Sequence, residues 1–323
     1  MKKVLCVLLA LLLTMTGCAR QAAEPEEELI VVGMSQVGAE SDWRVANTES
    51  MRREFTEEKG YRLLFEDARQ KQENQISAIR RFIQQRVDYI VVMPIGETGW
   101  DSVLQEAKKA GIPVILVDRT VDVEDESLIA ARVGADFYGE GRKAVAWMEQ
   151  TFGAEPIRIV HIQGTLGATS QLGRTAALEE GLARNESWEL LAQLDGDYTQ
   201  AKSYELMSDY LSQFPVRPKI DVVYCENDNE AYGAIEALEE NGYICGPEGV
   251  AVISFDAAID ALLYCREGKI ALEVECNPLL GPLAESVIRS LEAGQTPEKN
   301  YYVDEQVFLP GDITDELLGT REY

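Results

Sequence analysis

The chain has 323 residues and a formal net charge of −26 at pH 7. Its acidic residues are spread along the sequence, and no cluster of lysines and arginines is present that would neutralise a phosphate backbone. This composition excludes nucleic acid as the expected partner. The length is sufficient for two domains of ordinary size.

The N-terminus has the pattern of an export signal. Lys2-Lys3 precede an apolar run from Val4 to Leu13, which is too short for a membrane span of about 20 residues. Gly17-Cys18 resembles a lipobox, in which the cysteine is lipidated; an ordinary signal cleaved nearby is the alternative. We therefore expect a signal peptide over residues 1–17, a lipid-anchored acidic tether over 18–28, and a folded part outside the cytoplasm.

The first predicted strand begins at Leu29 and runs into a glycine-spaced loop that ends at Trp43-Arg44, at the start of a helix. Apolar strands and amphipathic helices then alternate along the chain. Strands are predicted at 61–66, 89–93, 114–117 and 128–133, and helices at 43–59, 72–85 and 100–110. Continuous apolar strands separated by helices are typical of a parallel sheet covered on both faces.

The alternation restarts after Gly134-Ala135-Asp136. Helices are predicted at 138–152, in the residues after the glycine-rich loop at 163–174, and at 198–214, 229–241, 258–266 and 279–293. Strands are predicted at 157–162, 188–194, 222–225, 250–255, 270–276 and 301–308. The predicted fold class is therefore α/β, with two doubly wound parallel-sheet units of similar size.

Ligands of open α/β sheets bind at the carboxyl ends of the strands. Carboxylates, guanidiniums and a carboxamide near these ends provide donors and acceptors suited to vicinal hydroxyls, and an aromatic ring can cover the C–H face of a sugar. This set of side chains fits a neutral polyol better than a phosphate or a hydrophobic ligand. The candidate ligand-binding residues are Glu40, Trp43, Arg44, Asp118, Arg119, Arg174, Tyr198, Asn227, Asp256 and Glu275.

Several of these residues also have a simpler interpretation. Trp43 is by default a core residue of its helix. Asp118 and Arg119 follow a buried strand and can form an internal ion pair. Asn227 and Asp256 stand where helix caps are expected.

Catalytic and cofactor sites find little support. His161 is the single histidine and lies within an apolar strand, so it is expected to pack or hydrogen-bond, and neither a Ser-His-Asp triad nor a zinc site follows. The pattern Gly139-Glu-Gly141-Arg-Lys-Ala144 matches GxGxxA but falls inside a predicted helix. We expect no cofactor, no metal and no enzymatic activity, although carboxylate pairs would also serve glycoside hydrolysis.

Four cysteines follow the N-terminal segment: Cys225, Cys245, Cys265 and Cys276. In an oxidising compartment an even number permits disulfides. A bond between Cys245 and Cys265 is one interpretation, and small buried free thiols are the other.

An ordered set of motifs resembles the type I periplasmic sugar-binding proteins, which are substrate-binding lipoproteins of ABC transporters, and within them the galactofuranose-binding group. The motifs are SQVGAESDWR, QKQENQISAIRRF, TGW, EAKKAGIPVILVDR, QGTLGA, CEND and SFD. The resemblance implies two lobes, 29–134 plus 276–307 and 135–275 plus 308–323. They would be joined by three hinge crossings near Ala135, Glu275 and Phe308 and would close around the ligand.

The resemblance also implies roles for the candidate residues. Trp43 would stack on the sugar ring, and Glu275 would act at the hinge. The remaining candidates would hydrogen-bond the sugar from both lobes. Two positions depart from the family pattern, since Glu275-Cys276-Asn277-Pro278 replaces the frequent Gln-Asn-Pro and Tyr198 stands where phenylalanine is frequent.

The resulting expectation is a monomeric, extracytoplasmic, membrane-anchored receptor that captures a monosaccharide and delivers it to an ABC permease and ATPase. A sensor that presents the sugar to a chemotaxis or histidine-kinase receptor is the alternative. A sugar-responsive repressor shares the architecture, but it requires a basic helix-turn-helix segment in place of the export signal.

Overall fold

The computed structural model describes residues 28–323. The predicted signal peptide, Cys18 and the tether up to residue 27 lie outside the described residues. Within the described range, every helix is too short or too polar to cross a membrane.

The first sheet has six strands, all parallel, in the order β11-β5-β4-β3-β1-β2. They are β1 (Ile30–Gln36), β2 (Tyr61–Asp67), β3 (Tyr89–Val92), β4 (Val114–Val117), β5 (Ala131–Gly134) and β11 (Asn300–Tyr302). The helices that cover it are α1 (Asp42–Glu54), α2 (Gln72–Gln85), α3 (Asp101–Ala110) and α9 (Gly281–Glu292). Every residue of β3 and β4 is buried, which explains their unbroken apolar sequences.

The second sheet also has six strands, in the order β12-β10-β9-β8-β6-β7, and only β12 is antiparallel to its neighbour. They are β6 (Ile157–Gln163), β7 (Trp188–Asp195), β8 (Val222–Cys225), β9 (Ala251–Asp256), β10 (Leu272–Glu275) and β12 (Val307–Phe308). The helices of this half are α4 (Phe137–Phe152), α5 (Thr169–Arg184), α6 (Gln200–Ser212), α7 (Asp228–Glu240), α8 (Ile259–Arg266) and α10 (Asp315–Thr320). Short 3-10 turns occur at Glu57–Lys59, Glu126–Leu128 and Pro310–Asp312.

The predicted fold class, two doubly wound α/β units, is confirmed. The prediction of one final strand at 301–308 is wrong, because the chain leaves the first sheet after Tyr302 and enters the second at Val307. Backbone bonds hold both ends of this passage: the Val303 amide donates to the Gly134 carbonyl at 3.0 Å, and the Glu275 amide donates to the Gln306 carbonyl at 2.9 Å. The chain thus passes between the sheets after β5, after β10 and before β12.

The glycines of the GxGxxA pattern serve helix packing. A Cβ on Gly141 would lie 2.6 Å from the Cβ of Ala177, so the glycine permits close contact between α4 and α5. Asp136 caps α4 by accepting a bond from the Gly139 amide at 2.9 Å. The pattern therefore lies within a packed helix, as the sequence indicates, and it positions α5 against the hinge.

The four cysteines of the described range are free thiols, so the Cys245–Cys265 disulfide is not formed. Cys225, Cys265 and Cys276 are buried, whereas Cys245 is half-buried. His161 is buried and lies 3.0 Å from Glu226 Oε1 through Nε2 and 3.2 Å from the Gln193 side-chain amide through Nδ1. It packs and hydrogen-bonds, as expected.

Candidate ligand-binding site between the lobes

One small polar cavity lies between the carboxyl ends of the two sheets. Its empty volume is about 290 Å³, close to the lower limit of about 300 Å³ for small-molecule sites. The lining residues come from both lobes and from the passages between them: Glu40, Ser41, Trp43, Arg44, Asp118, Arg119, Phe137, Ser170, Arg174, Tyr198, Asn227, Asp256 and Cys276. A cavity of this size fits one small, hydroxylated molecule.

All the sequence-predicted site residues except Glu275 line this cavity. The Glu275 carboxylate is bound elsewhere: Oε1 accepts bonds from Arg321 Nη1 at 2.6 Å and the Tyr323 hydroxyl at 2.8 Å. Its Oε2 accepts a bond from the Gln306 amide at 2.8 Å. Glu275 thus joins the hinge to the C-terminal segment, where Arg321 matches its negative charge, and it does not line the cavity.

Four lining residues were not predicted: Ser41, Phe137, Ser170 and Cys276. Ser41 caps α1 by accepting a bond from the Arg44 amide at 3.2 Å. Cys276 and Phe137 lie next to passages between the sheets, and Ser170 opens α5 after the glycine-rich loop. Small and apolar residues at these places carry no chemical signal in the sequence, so only their tertiary position identifies them.

The first lobe contributes a buried network of two guanidiniums and two carboxylates. Arg44 pairs with Glu40 at 3.0 Å and with Asp118 at 2.7 Å, while Arg119 lies 3.8 Å from Glu40 and 3.7 Å from Asp118. Burial raises the pKa of Glu40, but Arg44 and Arg119 outweigh it and hold that pKa below its ordinary value. The internal ion pair considered for Asp118 therefore exists, with Arg44 as the nearer partner, and it forms part of the cavity wall.

Three buried polar atoms of this network have no hydrogen-bond partner within residues 28–323: Glu40 Oε2, Arg44 Nη1 and Arg119 Nε. Leaving a buried donor or acceptor unpaired costs about 1–3 kcal/mol, and more for charged groups. Two donors and one acceptor on the same wall match a ligand whose hydroxyls both accept and donate. The unpaired atoms therefore favour a polyol.

Arg174 of α5 is the main cation of the second lobe. Its Nε donates to Glu140 Oε2 at 2.7 Å, Nη1 donates to the Glu226 carbonyl, and Nη2 lies 3.8 Å from Asp256 Oδ1. The guanidinium also lies 4.7 Å from the centre of the Phe255 ring. These contacts fix the direction in which Arg174 faces the cavity.

Tyr198 and Asn227 complete the second lobe's wall. The Tyr198 amide donates to Glu230 Oε1 at 2.8 Å, and its hydroxyl lies 2.7 Å from Ser170 Oγ. Asn227 Oδ1 accepts a bond from the Glu230 amide at 2.8 Å, so Asn227 is the helix cap that the sequence allows as well as a lining residue. Hydrogen bonds within the second lobe thus hold both residues in place at the cavity wall.

Asp256 does not cap α8, because the Ala258 amide donates to Asp228 Oδ2 at 2.8 Å. Its side chain faces the cavity instead, 5% exposed. Burial, followed by the charge of Asp228, raises the pKa of Asp256 well above its ordinary value. A hydroxyl group that donates a hydrogen bond to this carboxylate would therefore stabilise its ionised form.

Three cavity residues have left-handed backbone conformations: Asp118 with φ 66°, Tyr198 with φ 61° and Asp256 with φ 114°. Such conformations cost about 1–3 kcal/mol each in residues other than glycine, and they cluster at functional sites. All three follow strand ends, where the strain turns the side chain towards the cleft.

Trp43 is both a core residue and part of the cavity wall. It belongs to the apolar core between the first sheet and its helices, and its ring lines the cavity. Its Nε1 donates to the Cys276 carbonyl at 2.6 Å, and the Arg44 guanidinium lies 4.6 Å from its ring centre. The ring is therefore held against the hinge and forms part of the cavity wall.

The lobes touch on both sides of the cavity. The Asp42 amide donates to Asn229 Oδ1 at 3.2 Å on one side. On the other, the Thr120 amide donates to Thr169 Oγ1 at 3.1 Å and the Glu97 amide donates to the Gly167 carbonyl at 3.1 Å. The structure is therefore a closed form.

Gly134 controls the position of Asp118. A Cβ at Gly134 would lie 2.7 Å from the Asp118 carbonyl oxygen, so Gly134→Ala should displace this strand end and weaken its bond with Arg44. We expect a loss of about 1–3 kcal/mol of stability, measured by urea unfolding, together with weaker ligand binding. Gly311→Ala is the control, since its Cβ would meet open space. Equal stability of both variants would contradict this packing argument.

Two facing sheets whose strand ends enclose one small polar cavity define a two-lobed receptor for a small ligand. Residues 32–274 match the family model described as periplasmic binding protein domain. The chain belongs to the periplasmic binding protein family.

Several characterised proteins are similar to this chain. The galactofuranose-binding protein YtfQ of Escherichia coli is 35% identical over 289 residues, which cover 89% of this chain and 90% of that protein. A Mycobacterium smegmatis protein crystallised with β-D-fucofuranose has a TM-score of 0.82 and 40% identity, covering 87% of this chain and 92% of that chain. The binding component of the arabinose ABC transporter of Shewanella sp. ANA-3, bound to α- and β-L-arabinofuranose, has a TM-score of 0.82 and 37% identity, with the same coverage of both chains.

Proposed function

We propose that this protein is a non-catalytic receptor that captures a monosaccharide in its furanose form and delivers it to an ABC importer. The similar proteins named above bind galactofuranose, fucofuranose and arabinofuranose. The observation that carries the proposal is the set of unpaired buried atoms on Glu40, Arg44 and Arg119 at a cavity lined by both lobes. A sugar ring would supply their partners.

The site suggests how binding and closure are linked. The first lobe would bind the sugar through its ion network and the Trp43 ring. Arg174, Asn227 and Asp256 of the second lobe would then add contacts that exist only in the closed form, and these shift the equilibrium towards closure. The small volume of the cavity, about 290 Å³, favours one ring over an oligosaccharide.

The test is calorimetric titration of the purified protein with L-arabinose, D-fucose, D-galactose and D-glucose. We expect at least one of the first three to bind with a dissociation constant of about 1 µM or lower. Carbon-13 NMR of labelled, bound sugar would give the ring form directly. A pyranose signal would contradict the furanose assignment, and the absence of binding by any monosaccharide would contradict the function.

The proposal also covers where the receptor is held in the cell. A lipid anchor at Cys18, after removal of residues 1–17, would hold a monomeric receptor outside the cytoplasm and beside its permease. The basic and apolar N-terminal pattern supports this. In cells, the wild-type protein should fractionate with membranes, whereas Cys18→Ala should be released; retention of this variant in membranes would contradict the anchor.

A further inference from the structure

Behind Arg174, three ionisable side chains meet at the hinge. Reactive atoms of Glu140, Cys276 and Glu305 lie within 4.8 Å of one another. Glu140 is in the first turn of α4, after the first passage between the sheets, and Cys276 directly follows β10. Glu305 lies on the passage between β11 and β12. Each passage thus brings one member to the cluster.

The Glu140 carboxylate has one oxygen paired and one unpaired. Oε2 accepts the bond from Arg174 Nε at 2.7 Å. Oε1 is fully buried and receives no bond from the N–H and O–H groups of residues 28–323. Since an unpaired buried carboxylate oxygen is costly, the adjacent Glu305 is the natural source of a donor, provided that it carries a proton.

The charge at the hinge also favours such a proton. Glu140, which is buried, and Glu305, which is half-buried, would otherwise be adjacent anions, and Arg174 supplies a single positive charge that Asp256 shares at 3.8 Å. Burial and then the charge of Glu140 raise the pKa of Glu305 to about 9. Burial raises the pKa of the Cys276 thiol as well, so it stays neutral.

Four other charged groups lie near Glu305. The Lys143 ammonium donates to the Glu305 main-chain carbonyl at 3.1 Å. Asp136, Arg142 and Asp304 line the neighbouring open groove together with Lys143. The Asn277 amide donates to Glu305 Oε1 at 3.2 Å, which leaves Oε2 to carry the proton, and the unpaired buried acceptor near it is Glu140 Oε1.

We propose that Glu140 and Glu305 share one proton across the hinge and act as positioning residues that hold Arg174 at the wall of the sugar cavity. Glu305 donates to Glu140, and Glu140 in turn orients the guanidinium. The contact joins the third passage of the chain to the binding site, so it also supports the closed arrangement. This inference rests on the proposed function, because sugar binding is one of its readouts.

The sign of the pH dependence follows from the raised pKa. A protonated Glu305 contributes stability that is complete below the ordinary pKa of 4.5 and is lost as the pH rises through about 9. Above that pH the second negative charge competes for Arg174 and removes the donor to Glu140. We therefore expect sugar affinity to fall several-fold between pH 7 and pH 10.

Two variants at Glu305 separate proton donation from simple packing. Glu305→Gln keeps a donor that cannot ionise, so its affinity should match the wild type at pH 7 and stay constant to pH 10. Glu305→Leu lacks the donor and should bind about tenfold more weakly at pH 7. Asp304→Asn, at an exposed position on the same passage, is the control and should retain the wild-type pH profile. Thermal melting of each variant confirms folding.

Infrared spectroscopy of the ligand-free protein provides a readout that is independent of the sugar. Other buried carboxyls with raised pKa values, such as Asp256, contribute to the protonated-carboxyl band as well, so the readout is the difference between the wild type and Glu305→Gln. This difference band should be present at pH 7 and diminish above pH 9. If the spectra of the wild type and Glu305→Gln show no such difference, or if Glu305→Leu binds sugar like Glu305→Gln, the inference is wrong. If no monosaccharide binds the wild type, the proposed function fails, and the infrared band alone decides whether the proton is shared.

Discussion

Arg119→Ala should lower the affinity for the bound monosaccharide by about 100-fold while leaving the protein folded. A hydrogen bond to a charged group contributes about 1.5–3 kcal/mol, and about 1.4 kcal/mol corresponds to a factor of ten. Arg119 has one weak hydrogen bond in the structure, from Nη1 to the Ile95 carbonyl at 3.3 Å, and its buried Nε has none among the described residues. Its guanidinium is therefore held ready for a ligand.

The fold should tolerate this change because Glu40 and Asp118 both keep their closer partner, Arg44. Arg119 also lies 5.3 Å from the Tyr198 ring centre, so the variant loses one contact between the lobes. Calorimetry gives the affinity and thermal melting gives the stability. Arg80→Ala removes an exposed arginine paired with Glu106 and serves as the control. Wild-type affinity in Arg119→Ala would show that the guanidinium does not contact the ligand.

Asp256→Asn should raise the stability of the ligand-free protein and weaken sugar binding at the same time. Because burial and Asp228 raise the pKa of Asp256, the carboxyl contributes stability that is complete below its ordinary pKa of 3.8 and is lost as the pH rises. The amide keeps the shape without a charge and should add about 1 kcal/mol at pH 7. For a chain of this size that corresponds to about 2–4 °C in melting temperature.

The stability gain should disappear as the pH falls below the ordinary pKa of 3.8, where the wild-type carboxyl is protonated in both the folded and the unfolded state. Sugar affinity at pH 7 should fall about tenfold, because an amide nitrogen, which only donates, replaces a carboxyl oxygen that can accept a hydrogen bond. Asp260→Asn, an exposed position on α8, is the matched control. A variant that is less stable than the wild type at pH 7 would contradict the assignment of Asp256 as a strained functional group.

These two residues illustrate how far the sequence leads towards the site. Asp118-Arg119 and Asp256 stand out because each follows a run of buried apolar residues, and parallel strands bring their carboxyl ends to one edge. The same rule predicts Glu275 at the cavity, since it also ends a strand, but its carboxylate does not line the cavity. Its partner Arg321 is 46 residues away in the chain, and no local pattern predicts that pairing.

Glu140 is the opposite case. It lies in a glycine pattern that the sequence places inside a predicted helix, without any sign of a role at the site, yet the structure places it against Arg174 and the hinge. Similarly, the final passage contains only four residues between β11 and β12. Apolar residues on both sides of it resemble one continuous strand, and only the separation of the two sheets reveals the break.

The sequence by itself determined the fold class, because unbroken apolar strands alternating with helices are compatible with few arrangements other than doubly wound parallel sheets. It also placed most of the cavity residues, since the ends of such strands must meet. The tertiary structure alone decided which charges pair, which polar atoms stay unpaired and which residues meet at the hinge. Those outcomes depend on distances between segments far apart in the chain, and local periodicity carries no information about them.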